Sequence, residues 1–212
     1  MKKFLIFGLL IFSFFAFAST TYYLLSEIKP LPKAIKKSKN LKIENGYYKY
    51  ESKRIKVEVE PLLLKDLGKY FSEKGFENPF EETPGGFNYI FFRVRLENLS
   101  KETNIEFSPS STILNNMLSK DDTSVYQMFY DKADGDKKLE IIGKTMFFKP
   151  LTLPPGKWIE RLLFYEYDEL VPTKRMTLIL SNITAGKEMF ELEFPFETKF
   201  TKEKSDAEDN ER

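Results

Sequence analysis

Apolar and polar residues alternate with a period of two along much of this chain. Ile55, Val57 and Val59 alternate with Lys56, Glu58 and Glu60. Ile90, Phe92, Val94 and Leu96 alternate with Tyr89, Phe91, Arg93, Arg95 and Glu97, and Phe190, Leu192, Phe194 and Phe196 alternate with Glu191, Glu193 and Pro195. Successive side chains of a strand point to opposite faces, so each run predicts a strand with one buried face. Residues 158–167 and 176–180 are apolar on both faces, which predicts strands at the centre of a sheet or beneath a covering element. Asn45-Gly46 supplies a tight turn for a hairpin over 41–51. The spacing turns helical once, at Leu63, Leu67, Tyr70 and Phe71, with Pro61 suited to the first helical position and Gly75 to the end. That helix is expected to cap an open end of the fold. Within 112–148 the pattern is ambiguous, and 125–130 fits strand and helix alike.

Short strands between turn clusters, with a single helix, predict an all-β fold: an immunoglobulin-like antiparallel β-sandwich with one short capping helix, over residues 41–200. Ahead of it, 19–40 reads as a flexible tether, stiffened by Pro30 and Pro32 and solvated by five lysines. After it, 201–212 is almost wholly charged and is expected to be disordered.

The first eighteen residues read as a secretory signal. Lys2 and Lys3 precede an apolar run from Phe4 to Phe12, and Ala16-Phe17-Ala18 places small residues where a signal peptidase cuts. A competing reading is an uncleaved anchor from Phe4 to Leu25, spanning the roughly 30 Å of a bilayer core. Both place the domain outside the cytoplasm: periplasmic, cell-surface, secreted or held at the inner membrane.

Two stretches carry a family resemblance. Phe91-Phe92-Arg93-Val94-Arg95-Leu96-Glu97-Asn98-Leu99-Ser100 resembles the strand and turn of secreted bacterial immunoglobulin-like domains, leading to a partner strand around Ile105 and Phe107. Leu153-Pro154-Pro155-Gly156 and the strand through Leu162-Leu163-Phe164 resemble the Pro-Gly turn and following strand of the same domains. The resemblance implies an architecture and no functional residues.

Composition removes several chemistries. The chain has no cysteine and no histidine, and a formal net charge of +1 that becomes about −1 without Lys2 and Lys3. Disulfides, thiolate nucleophiles, Ser-His-Asp triads and the commonest transition-metal ligands are therefore absent. Long-range attraction to nucleic acid is not expected. Asp131, Asp134, Gly135 and Asp136 fail the EF-hand spacing, because Tyr130 and Lys132 would fall at ligand positions. Glu81-Glu82 and Asp121-Asp122 are neighbours within loops rather than carboxyls held across a cleft, and Ser110-Ser111 lacks a nucleophile-elbow context.

No catalytic residue, metal site or cofactor is assigned. Tyr89, Phe91, Arg93 and Arg95 share the outward phase of one strand, and aromatic and arginine side chains are enriched at interfaces. They form the candidate partner-binding face, unless the helix after Pro61 or the chain from Leu41 covers the aromatics and glutamates pair with the arginines. The expected function is a non-catalytic exported envelope protein that binds another envelope protein. One alternative is a small-ligand or carbohydrate binder using Trp158, Tyr165 and Tyr167; a second is a carboxylate or calcium-dependent hydrolase.

Overall fold

The computed structural model of the chain describes residues 21–33, 39–81 and 88–204. The expected signal or anchor up to Thr20, residues 34–38 of the expected tether, Glu82, and the tail after Lys204 lie outside the described residues. The fold is mostly antiparallel β. In chain order the strands are β1 (Thr21–Pro30), β2 (Leu41–Glu44), β3 (Tyr47–Glu51), β4 (Ile55–Leu62), β5 (Tyr89–Asn98), β6 (Ile105–Phe107), β7 (Thr112–Leu114), β8 (Met117–Leu118), β9 (Leu151–Leu153), β10 (Trp158–Glu166), β11 (Arg175–Ala185) and β12 (Glu188–Lys204). Helix α1 (Leu67–Glu73) lies between β4 and β5, and α2 (Asp122–Phe129) and α3 (Gly135–Thr145) lie between β8 and β9.

Two sheets result. The five-stranded sheet runs β10-β5-β4-β3-β2, and the larger one runs β1-β12-β11-β6-β9, with β7 also on β11 and β8 on β7. Alternation places Val57, Val59, Phe92, Val94 and Leu163 of the first sheet against Leu178, Leu180, Phe194 and Phe196 of the second in one core. Phe92 meets Phe196 at a ring-centroid distance of 5.2 Å. Each such side chain contributes roughly 1.5–3 kcal/mol by leaving water. The hairpin forms as expected, with Asn45 (φ 48°) and Gly46 (φ 87°) both left-handed, the geometry a two-residue hairpin turn requires.

A second core lies on the other face of the five-stranded sheet. There Leu62, Tyr89, Phe91, Leu162 and Phe164 meet Leu67, Tyr70 and Phe71 of α1, Val125 and Phe129 of α2, and Ile141 and Ile142 of α3. The expected single capping helix is thus corrected to three α-helices among the described residues, and they cover a sheet face rather than an open end. The ambiguous 125–130 stretch is mostly helix, because Asp121 caps α2 by accepting a hydrogen bond from the Ser124 N–H at 2.8 Å. Gly135 makes the α2–α3 corner possible: a Cβ there would stand 2.1 Å from the Phe129 carbonyl oxygen.

Other expectations change. Pro61 continues β4 in register with Phe92 instead of starting a helix; a short 3-10 turn, Leu64–Asp66, precedes α1. Ile105 and Phe107 pair within the larger sheet, with β11 and β9, and not beside β5. The first part of the expected tether is strand β1, paired antiparallel with β12 from Thr21↔Lys204 to Pro30↔Phe196. By the same pairing Thr201–Lys204, expected in the disordered tail, end β12. The residues from Thr21 to Leu25 in the anchor reading therefore belong to a sheet. Among the described residues no helix is long and apolar enough to cross a membrane.

Candidate functional site

The four residues of the expected partner-binding face do not stay together at the surface. Phe91 is 0% exposed and stacks on Phe164 at 5.5 Å, and Tyr89, 8% exposed, meets the same ring edge-on. Both belong to the second core, so the face is corrected: its aromatic half is covered by the helices. Burial also pushes the Tyr89 hydroxyl up to about 12, with Glu166 nearby adding to the shift. Arg93 and Arg95 remain half-buried. Arg93 pairs with Glu60 and reaches Glu73 of α1 at 4.0 Å, while Arg95 reaches Glu97 at 4.0 Å and lies 4.2 Å from the centre of the Trp158 ring.

Arg95 belongs to a charge ladder on the uncovered part of the sheet. Register aligns Lys49, Glu58, Arg95 and Glu160 across four strands, and beside them Glu51, Lys56, Glu97 and Trp158. Opposite charges adjoin within and between the rows, as at Lys56–Glu58 (3.0 Å) and Lys56–Glu97 (3.5 Å). Cross-strand pairs of this kind stabilise a sheet by tenths of a kcal/mol each; Arg93 is held by Glu60, while Arg95 is steadied by Glu97 and Trp158 with its Nε buried and without a hydrogen bond.

The aromatic residues of the ligand-binding alternative do not converge. The Tyr165 hydroxyl donates to Thr112 Oγ1 at 2.8 Å inside the first core, and the Tyr167 hydroxyl accepts from the Leu25 N–H at 3.0 Å. Trp158 alone is on the surface, 55% exposed. Nor do the acidic residues named above gather: Asp121 caps α2, which holds its carboxyl below the usual range, and Asp134 opens α3 in a left-handed conformation. Ser111 Oγ is spent on the carbonyls of Ser108 and Ser181. No group of three or more potential metal ligands occurs among the described residues.

What the fold leaves available is a strand edge. Two of the long edge strands are met in part. The free side of β10 is met by the N–H groups of Lys120 and Phe147, which donate to Phe164 and Leu162 carbonyls at 3.0 and 2.8 Å. The free side of β1 is met by the Glu169 carbonyl, which accepts from Tyr23 N–H at 2.8 Å, and by Tyr167. β12 differs along its length. Its C-terminal part lies between β1 and β11, but β1 ends opposite Phe196 and the Pro195 carbonyl is met by the Leu31 N–H, so from Glu188 to Phe194 β12 pairs, among the described residues, with β11 alone.

Alongside this stretch runs a groove between the two sheets. The groove, about 720 Å³, is lined by Leu31, Leu41, Tyr50, Leu192 and Phe194. Glu191 and Glu193 border the same cavity. A separate cavity, about 660 Å³, is lined by Phe190, Glu188, Arg54 and Asn40. Tyr48 closes the end near Pro195: its hydroxyl accepts from Leu31 N–H at 2.8 Å and donates to the Pro195 carbonyl, and burial pushes it up to about 12. The sequence carried one sign of this edge, since proline in a strand is confined to positions whose N–H side is unpaired. No family model, curated protein or solved structure matches the chain.

Proposed function

We propose that this is a bacterial exported protein of the cell envelope whose immunoglobulin-like domain binds another protein without catalysing a reaction. The observation that carries the binding reading is the edge of β12, free among the described residues from Glu188 to Phe194 and lying beside an apolar groove, whereas β10 and β1 are each met at two residues by backbone or hydroxyl groups. Two facing antiparallel sheets support the immunoglobulin-like assignment, with the three-helix layer as an addition. Export rests on the N-terminal pattern. The Ala16-Phe17-Ala18 spacing supports a signal cleaved after Ala18. The test is a photocrosslinking residue placed at Glu191 in the native envelope, with mass measurement of the recovered chain. The expected result is a mature chain beginning at Ser19 and a discrete protein adduct from position 191 but none from Tyr130, which is exposed near the end of α2. A cytoplasmic chain beginning at Met1, or identical adducts from both positions, contradicts the reading.

A further inference from the structure

Resting on that reading, we infer that the occupant of the groove is an extended peptide segment that joins β12 as a new strand and carries basic side chains at its centre. The backbone phase supports strand addition. The Pro195 carbonyl points away from β11, since it accepts from Leu31 N–H at 3.0 Å. Backbone groups of alternate residues point to the same side of a strand, so Met189, Glu191 and Glu193 present their N–H and C=O groups to the groove. Strand addition uses such main-chain bonds for affinity and alternate side-chain positions for specificity. One face of an added strand would meet the apolar floor of Leu41, Tyr50, Leu192 and Phe194.

Charge selects the other face. Glu191 and Glu193 are exposed and make no ion pair among the described residues, whereas Glu188 is held by Arg54 at 3.0 Å. Lys33 and Arg175 border the same cavity as Glu191 and Glu193, but register sets them at its Pro195 end: Arg175 lies opposite Glu197, and Lys33 follows Leu31, whose N–H meets the Pro195 carbonyl; Lys53 and Arg54 border the other cavity with Glu188. The middle of the edge is therefore acidic and suits lysine or arginine. The same acids disfavour a second copy of this chain. Antiparallel self-pairing about Leu192 sets Glu191 opposite Glu193 twice, and like charges directly opposite destabilise a sheet.

The probes are three eight-residue peptides alternating valine with lysine, threonine or glutamate, mixed with the mature protein. The lysine peptide should bind about tenfold more tightly than the glutamate peptide and slow exchange of the Glu191 and Glu193 amides. The E191K/E193K variant should reverse that preference. Glu193→Pro should abolish binding of the threonine peptide while Glu193→Ala keeps it, because position 193 shares the phase of Pro195 and its N–H makes no bond to β11. Equal binding of all three peptides overturns the charge selection but leaves the edge as a docking site. If no peptide slows exchange at Glu191 and Glu193, the inference is overturned, the acids merely guard the edge, and the crosslinking result alone judges the proposed function. A dimer that Glu193→Pro converts to monomer replaces the peptide with a second copy.

Discussion

The two halves of β12 have the same alternation and opposite circumstances. From Phe196 onward, β1 covers the edge; from Glu188 to Phe194 the edge is free among the described residues, although Phe194 is as deeply set in the core as Phe196 and Leu192 is also buried. Burial of faces and pairing of edges are therefore separate properties of a strand. The first follows from period-two patterning, while the second depends on where a distant segment ends. Here that segment stops at Pro30-Leu31-Pro32, whose prolines cannot continue a ladder on both sides.

The strongest test of the comparison truncates the closed half. Phe196→Ala should cost about 3–5 kcal/mol, since it empties a site bounded by Tyr48 and Phe92. Phe91→Ala should cost a similar amount by the same principle, as a member of the second core, and equilibrium denaturation measures both. A cost under about 1 kcal/mol for Phe91 would restore it to the surface. Leu192→Ala, beside the groove, should cost nearer the lower end of the about 2–5 kcal/mol range for leucine truncations. Tyr167→Phe should cost about 1–2 kcal/mol by leaving the Leu25 N–H of β1 without its acceptor.

A smaller effect appears at alkaline pH. Tyr48, at the junction of the two halves, is raised from 10.0 to about 12 by burial. Above pH 10 the unfolded chain loses this proton more readily than the fold does, so stability is full below pH 10 and declines towards pH 12. Tyr48→Phe should flatten part of that decline in a pH series of melting temperatures; an unchanged slope would show that the hydroxyl titrates as in the unfolded chain. The smallest effect is at the free edge, where Glu191→Ala should change stability by no more than about 0.5 kcal/mol.

The inner face of the five-stranded sheet and the 41–51 hairpin were legible because strict alternation and an Asn-Gly turn leave few options. β1 was not. The pairing slips between Leu25 and Glu27, and this bulge shifts the phase so that Leu25 and Ile28 are both buried three positions apart, hiding a strand among lysines and prolines. The second core was half legible. The two-sided apolar character of 158–167 implied a cover, and β5 shares that cover, so Tyr89 and Phe91 lie opposite Glu166 and Phe164. Two arginines in the same phase made the β5 face resemble a contact surface. The free edge was visible only through Pro195, because side-chain patterning carries little information on which backbone groups lack a partner.

Amide hydrogen exchange along β12 in the free protein measures the difference between the two halves of this strand most directly. Glu197 and Lys199, in register with Lys29 and Glu27 of β1, should exchange slowly, as should Leu192 and Phe194, which face β11. Met189, Glu191 and Glu193 should exchange at least about a hundredfold faster than these neighbours, as solvent-facing edge amides do. Slow exchange at Glu191 and Glu193 in the free protein would mean that the edge is already paired, and would contradict the account.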